Sequence, residues 1–557
     1  MDNTDNNSSR PWFASYDAKV PKHLDFETTP LYSYLDRAAS KNPRHTALIF
    51  QNYRLTYAAL RDKAERLAAG LVDAGLRPGD RVAVMLPNLP QTIIAFWGVL
   101  KAGGVLVMVN PLAMEHELLH QVGDSGARFM VTLQRLWSKV KPLTGRLGLE
   151  RIYLTTIADG LAFPKSWLYT LSRRREGFRR PEYDGRFLIP WKNLVRTSRR
   201  ESGRVGNPEE SLACIQYTGG TTGRPKGAML SHANLACNVE QCVAVIHGLE
   251  PEKETFLGLL PYFHVYGLTV CIALPTAVCA AMLPFPRFAP IDVLEAIRRH
   301  NPTVFPGAPA VYIALMRQKN LAEYDLTSLK YCISGSAPMP VEALRRFEGL
   351  TGAGMLEGFG LTETSPVTHL NPLQGVRKVG SIGLPLPGTD CRIVDLQTGE
   401  DLPAGEPGEL LIKGPQVMRG YWNRPEETAE VLEDGWFATG DIATMDEDGY
   451  FRIVDRKKDM IITAGYNVYP REVEETLMEH PAVKDAAVVG KRHPARGEMV
   501  QAYVVLEEDA AVSTVELIAW CREKIAPYKV PREIEVRDVL PKTVIGKLLR
   551  KELREDE

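Results

Sequence analysis

Tyr217-Thr-Gly-Gly-Thr-Thr-Gly-Arg-Pro-Lys-Gly227 encloses, at 218–226, three glycines, three threonines and one lysine in a loop that follows the strand-like run Ala213–Tyr217. Glycines let backbone N–H groups approach an anion, the hydroxyls add donors, and Lys226 adds charge. The stretch therefore has the chemistry of a phosphate cradle. It is not a Walker loop, because the Gly-Lys-Ser/Thr ending is missing. A hairpin tip that needed only flexibility would be served by glycine alone.

Working outward, the flanks alternate strand and helix. Arg81–Pro87 reads as a buried strand and Gln91–Gly104 as a helix closed by glycines. The apolar run Gly104–Pro111, a short helix at Glu115–Val122 and a strand at Ala127–Leu133 follow. Such alternation predicts α/β layering with parallel sheets. After a polar, basic interruption at about 158–208, Thr303–Pro309 and Leu329–Ser336 supply further strands. Beyond Gly380, turn signals such as Gly405-Glu-Pro-Gly408 and Asp446-Glu-Asp-Gly449 punctuate short strands of a β-rich module. Beyond Asp455, the pattern Val473–Pro481 (helix), Val483–Gly490 and Glu498–Leu506 (strands) and Ser513–Ile525 (helix, capped by Ser513 or Thr514) predicts a small α+β unit. The expected division is 1–455 and 456–557, with a hinge near 455–458.

The 557 residues correspond to three or four units at roughly 150 residues each. Hydrophobic residues make up 45% and charged residues 24%, a balance that excludes a disordered chain. With 67 Lys+Arg against 68 Asp+Glu, the chain lacks the basic surface that nucleic acid requires. Eight cysteines form no Cys-x-x-Cys pair and mostly sit in apolar runs, which predicts reduced core thiols and a cytoplasmic setting. The polar first ten residues lack the pattern of a signal peptide. Phe256–Pro286 carries no formally charged residue and is long enough to cross a bilayer. Pro261, Pro275, Pro284 and Pro286 would break a lone lipid-facing helix, so buried core or the lining of an apolar pocket is expected there.

The phosphate-cradling segment resembles the signature loop of the adenylate-forming superfamily, which comprises acyl-CoA synthetases, luciferases and peptide-synthetase adenylation domains. Five further motifs carry the resemblance in family order: Leu260-Pro-Tyr-Phe-His-Val-Tyr-Gly267, Leu356-Glu-Gly-Phe-Gly-Leu-Thr-Glu-Thr364, Trp436-Phe-Ala-Thr-Gly-Asp441, Arg456-Lys-Lys-Asp-Met-Ile461 and Pro541-Lys-Thr-Val-Ile-Gly-Lys547. The wording of Val454–Ile461, Gly465–Pro470 and Met355–Thr364 is most similar to bacterial long-chain fatty acid–CoA ligases. The resemblance implies two α/β subdomains plus a β module in a large N-terminal region, and a small mobile C-terminal α+β domain.

It also implies residue roles. Thr218, Gly219, Gly220, Thr221, Thr222, Gly223 and Lys226 would hold the β- and γ-phosphates of ATP. Thr362 would touch the α-phosphate and Glu363 a Mg²⁺ ion, a hard cation suited to one carboxylate plus phosphate oxygens. Gly335, Ser336, Ala337 and Pro338 on one side and Glu357, Gly358, Phe359 and Gly360 on the other would sandwich adenine. Asp441, with Arg456 nearby, would accept the ribose hydroxyls. Lys547 would supply charge between the carboxylate and the α-phosphate. Lys458 marks the hinge, and Ala464, Gly465 and Tyr466 would line the path of CoA. His264 would lie near the acyl carbonyl, with Leu268–Leu283 as an apolar lining. Two departures are visible: the loop reads Thr218-Gly-Gly where many relatives have Thr-Ser-Gly, and Phe359 replaces the usual tyrosine.

The function implied is ATP-dependent conversion of a medium- or long-chain fatty acid to its CoA thioester through an acyl-adenylate. Its rivals are transfer of a fatty or aromatic acyl group to a carrier-protein thiol, and a fatty acid sensor without turnover. Two further patterns are decoys by context: His116-Glu-Leu-Leu-His120 matches a zinc-protease pentapeptide, and Gly123-Asp-Ser-Gly126 a serine-protease fragment. Phe163, Trp167, Leu168 and Leu171 fall at helical spacing ahead of Arg173, Arg174, Arg175, Arg179 and Arg180. Region 161–180 thus reads either as a helix resting on an anionic membrane, at the inner face of the cell membrane, or as a solvated basic loop. A homodimer is left open.

Overall fold

Runs such as Val105–Met108 have no polar face, and they become inner strands of two large mixed sheets. The computed structural model describes residues 10–176, 181–198, 205–218, 225–463, 466–493, 497–508, 510–542 and 548–554. The first large sheet has seven strands in the order Leu188–Pro190, Arg151–Thr155, Phe129–Leu133, Arg81–Met85, Val105–Met108, Leu212–Tyr217, Gly227–Ser231. All its pairs are parallel except the last, a hairpin whose tip is the phosphate-loop region. The second has nine strands, with a parallel centre running from Met355–Gly360 through Tyr331–Ser334, Val304–Gly307, Thr255–Gly258 and Ala281–Pro284 to Thr46–Phe50. The hairpin Thr46–Phe50/Tyr53–Thr56 closes one edge of that sheet. Its long-range pairing with Ala281–Pro284 leaves no local mark in the sequence.

The uncharged stretch 256–286 is interior structure. After the strand Thr255–Gly258 it forms a buried helical run through Val265–Leu268, a π turn at Thr269–Ala273 and Leu274–Ala277, then the strand Ala281–Pro284. The π turn lies just ahead of Pro275, where widening spares the ring a clash with the carbonyl four residues back. Among the described residues no helix is long and apolar enough to cross a membrane.

A third, antiparallel sheet pairs Asp390–Val394, Gly408–Lys413, Trp436–Met445, Leu432–Glu433 and Phe451–Arg456. The next strand, Ile461–Thr463, belongs to a separate five-stranded sheet built on Val483–His493 and Gly497–Leu506. Helices Pro470–Met478 and Thr514–Lys524 cover it, the latter capped by Ser513 and Glu516 in a reciprocal box.

The end of the chain is tied into this unit. Lys542 bridges to Leu548, Leu549 N–H donates to the Pro541 carbonyl at 2.9 Å, and Leu553 is buried with Ala487, Val489, Tyr503 and Leu540. Arg550 meets Glu474 at 2.8 Å and Asp459 at 3.4 Å and lies 4.0 Å from Asp455, while Arg554 reaches Asp459 at 3.2 Å. Burial tends to neutralise Glu474 and Asp455, raising both carboxyl pKa values, while the Arg550 guanidinium opposes that shift.

Candidate active site

The stem of the phosphate loop is closed by the Thr218 N–H, which donates to the Lys226 carbonyl at 2.9 Å. Gly219, Gly220, Thr221, Thr222 and Gly223 lie outside the described residues, as do Ala464, Gly465 and Lys547. Past the stem, Gly227–Ser231 takes the segment 419–422 alongside it: Met229 N–H donates to Gly420 O, and Trp422 N–H to Gly227 O at 2.8 Å. That pairing brings Tyr421 beside the outgoing stem of the loop. The Lys226 ammonium stands 4.6 Å from the centre of the Tyr421 ring, a cation–π contact, and the Tyr421 hydroxyl donates to Glu363 Oε1 at 2.8 Å. Burial, then the adjacent Glu363 charge, raises the Tyr421 phenol pKa, so it stays protonated as a donor.

Glu363 sits in the turn Thr362–Thr364, which Thr364 holds by donating to the Pro366 carbonyl at 2.6 Å. Thr362 is half-buried beside it. Tyr421 is the residue the sequence reading missed. It stands 58 positions from Glu363, in no motif, and only sheet pairing brings it there.

The residues expected to hold adenine flank neighbouring strand ends. Gly335, Ser336, Ala337 and Pro338 follow Tyr331–Ser334, with Ser336 in the left-handed region at φ +74°. Glu357, Gly358, Phe359 and Gly360 end the parallel neighbour Met355–Gly360. Phe359 meets the buried His369 ring edge-on at 6.1 Å. Glu357 accepts from Met339 N–H at 3.3 Å and from Gly380 N–H at 3.4 Å, so it braces two loops, and burial raises its pKa. The clearance at Gly360 is taken by the chain itself, since a Cβ there would stand 2.1 Å from the Pro366 carbonyl oxygen. Gly360 therefore cannot be larger, whether or not a base stacks on it.

Asp441 is buried on the strand Trp436–Met445, and its cross-strand partner Arg456 meets it at 2.6 Å. Lys458 follows on an exposed turn, where local desolvation and then the Arg456 charge lower its pKa. Tyr466 is exposed and stacks on Tyr528 at 4.6 Å. His264 caps the helix Val265–Leu268. Its Nδ1 accepts from Tyr266 N–H at 3.2 Å, which puts the proton of a neutral ring on Nε2. Most of the apolar residues from Leu268 to Met282 pack into the main core, and Leu283 into a second cluster with Leu257 and Phe305.

The zinc-like pentapeptide has other work. Glu117 accepts from Met114 N–H and so caps its own helix, His116 is exposed, and His120 is bonded to the Pro225 carbonyl. Among the described residues no group of three or more His, Cys, Asp or Glu is placed to hold a metal ion.

The AMP-binding enzyme family matches residues 35–422, and the AMP-binding enzyme C-terminal domain matches residues 472–547. The chain belongs to the AMP-binding enzyme family. It is 46% identical over 553 residues to a long-chain-fatty-acid–CoA ligase of Bacillus subtilis (strain 168), covering 99% of this chain and 98% of that one. A ligase of the same name from Yersinia pestis is 39% identical, covering 98% of each. Among solved structures, ATP-bound MatB from Rhodopseudomonas palustris superposes with a TM-score of 0.83 at 31% identity, over 95% of this chain and 99% of that one.

Proposed function

We propose that this chain activates long-chain fatty acids as acyl-adenylates and transfers the acyl group to CoA, releasing AMP and pyrophosphate. The observation that carries the reading is the convergence of Lys226, Tyr421 and Glu363 at the stem of the phosphate loop. One tyrosine thus takes a cation on its ring and a carboxylate at its hydroxyl, the two charges that Mg-ATP calls for. Likeness over nearly the whole chain to the Bacillus subtilis ligase supports a long-chain acid.

In the first step a carboxylate oxygen attacks the α-phosphorus of ATP, and the bond to the bridging oxygen breaks as pyrophosphate leaves. Lys226 and the donors of 218–223 would neutralise the leaving group, Thr362 would meet the α-phosphate, and Lys547 would supply charge where it develops. Glu363 suits Mg²⁺, because Tyr421 engages one oxygen and orients the other. Bound there, the ion would offset triphosphate charge. Asp441, steadied by Arg456, would take the ribose hydroxyls, and residues 335–338 and 357–360 would hold adenine.

In the second step the CoA thiol gives up its proton, its sulfur attacks the acyl carbon, and the C–O bond to AMP breaks. We read residues 456–557 as turning about Lys458 between the steps, with His264 beside the acyl carbonyl and Ala464, Gly465 and Tyr466 along the CoA path. All eight cysteines are free and buried, which supports a reducing, cytoplasmic setting.

The test is pyrophosphate release with Mg-ATP and acids from acetate to oleate plus coumarate, with and without CoA. Turnover that peaks at long chains and needs CoA for repeated cycles supports the ligase. A single turnover that CoA cannot relieve means another acceptor, and no release with any acid removes the enzyme reading. Tyr421→Phe keeps the ring under Lys226 but frees Glu363. It should raise the Mg²⁺ concentration for half-maximal rate about tenfold, the worth of one hydrogen bond to a charged group. An unchanged Mg²⁺ titration would remove Tyr421 from the cation site.

Helix Lys165–Arg175 buries none of its residues, and Phe163, Trp167 and Leu168 are 80%, 58% and 52% exposed beside Arg173–Arg175. Arg179 and Arg180 lie outside the described residues. We read this face as resting on anionic lipid. The protein should co-sediment with phosphatidylglycerol vesicles and not with phosphatidylcholine ones. Trp167→Ala with Phe163→Ala should cut that binding about tenfold; unchanged binding would leave a solvated loop.

A further inference from the structure

The helix Glu115–Ser125 carries both decoy motifs, and its sequence has no part in the family's phosphate chemistry as read above. Its geometry gives it one. We propose that His120 and Asp124, one turn apart on the same face, clasp both stems of the phosphate loop and set its grip on the β- and γ-phosphates of ATP. They act as positioning residues, and the proposal rests on the reading of 218–226 as the ATP phosphate site.

On the outgoing stem, His120 Nε2 lies 2.7 Å from the Pro225 carbonyl oxygen. A carbonyl only accepts, so Nε2 carries the hydrogen, and both the neutral ring and the imidazolium can donate it. On the incoming stem, the Tyr217 hydroxyl donates to Asp124 Oδ2 at 2.6 Å, and the His120 ring meets the Tyr217 ring edge-on at 5.8 Å. The Asp124 main chain takes the neighbour of Tyr421 as well, since the Trp422 indole N–H donates to the Asp124 carbonyl at 3.0 Å. Arg424 stands 3.5 Å from Asp124 Oδ1. One helix face thus touches both ends of the loop and the segment that brings Tyr421 to Glu363.

Gly227 completes the arrangement. A Cβ there would stand 2.6 Å from Ile215 Cγ2 and 3.3 Å from the Tyr217 ring, so the tyrosine reaches Asp124 only across a glycine. The helix itself is a fixed post, with Leu118, Val122 and Ser125 buried.

The physical reason for such a clasp is entropic. Stems that are fixed before an anion arrives leave less ordering to be done on binding, which reduces its cost. Loosening one stem should therefore weaken ligands that use the loop and spare those that do not. ATP carries the two phosphates concerned; AMP lacks them.

The experiment measures dissociation constants of ATP and AMP by calorimetry, and KM for ATP and oleate in pyrophosphate release, for wild type, His120→Ala, His120→Gln and Tyr217→Phe. His120→Ala should weaken ATP binding and raise its KM about tenfold, the loss of roughly one hydrogen bond with its ordering effect. AMP affinity and oleate KM should stay within about twofold. His120→Gln, whose amide nitrogen can replace Nε2, should recover most of the loss, and Tyr217→Phe should weaken ATP several-fold. Equal losses for ATP and AMP, no loss for either, or no rescue by glutamine would overturn the clasp. Wild type that binds ATP no better than AMP and releases no pyrophosphate would instead overturn the phosphate-loop reading, and the clasp with it.

Discussion

Lys547→Ala should lower pyrophosphate release with Mg-ATP and oleate by about 10²–10³-fold, the range for removing one donor aimed at developing charge. Thiolysis of oleoyl-adenylate supplied ready-made should change by no more than a few-fold. The split is the informative part. If one lysine serves only the step in which negative charge grows at the α-phosphate, the second half-reaction has no use for it. Lys547 lies outside the described residues, but both ends of its loop are described. Lys542 bridges Leu548, pairs with Asp485, and is followed across the loop by the Leu549–Pro541 hydrogen bond. The segment that carries the lysine is thus fixed at both ends, as precise placement of a charge requires. Equal loss in both half-reactions would mean that the substitution damages the C-terminal domain and has no step-specific role. Rapid-quench measurement of each half-reaction decides between the two.

Arg550→Ala should destabilise the C-terminal domain by about 3–5 kcal/mol, the cost of removing one member of a buried ionic cluster. Arg550 answers Glu474 with two hydrogen bonds from one guanidinium nitrogen and also faces Asp459 and Asp455. Glu474 and Asp455 are buried, and each keeps a backbone donor, Val488 N–H and Arg471 N–H respectively. Those donors soften the loss but cannot balance the carboxylate charges. Arg550→Ala with Glu474→Gln should recover part of the deficit, because the uncompensated charge goes with the partner. Differential scanning calorimetry of the intact protein reads the effect directly. A change below about 0.5 kcal/mol, the range for ordinary surface sites, would mean that the cluster is effectively solvated.

Local chemistry in the sequence was enough to reveal the layered architecture and the motif residues. Val105–Met108 has only apolar positions and becomes an inner strand, and of the two caps expected for the helix after 512, Ser513 is the one that forms, with Glu516 completing the box. The hairpin Thr46–Thr56 was missed because its partner strand is more than two hundred residues away, and pairing of that kind has no periodic signature. Asp441 and Arg456 belong to separate motifs, yet antiparallel register makes them direct cross-strand neighbours. Tyr421 and His120 were illegible for a different reason: the partners of each lie in distant segments. In His120 the sequence even supplied a misleading pattern, because two histidines four apart on a helix suggest a metal site until one ring is found against a carbonyl.

The burial of Leu553 and the reach of Arg550 to Glu474 also bear on the order in which the enzyme becomes competent during synthesis. The strands Val483–His493 and Gly497–Leu506 pair with each other without any contribution from residue 550, but the small core around Tyr503 and Leu540 is closed by Leu553. A nascent chain can therefore finish both large sheets while still on the ribosome. The far side of the segment that carries Lys547 is anchored only once Leu549, Arg550 and Leu553 are in place. A chain cut before residue 548 would keep both large sheets and lose the anchors on the far side of the 543–547 segment.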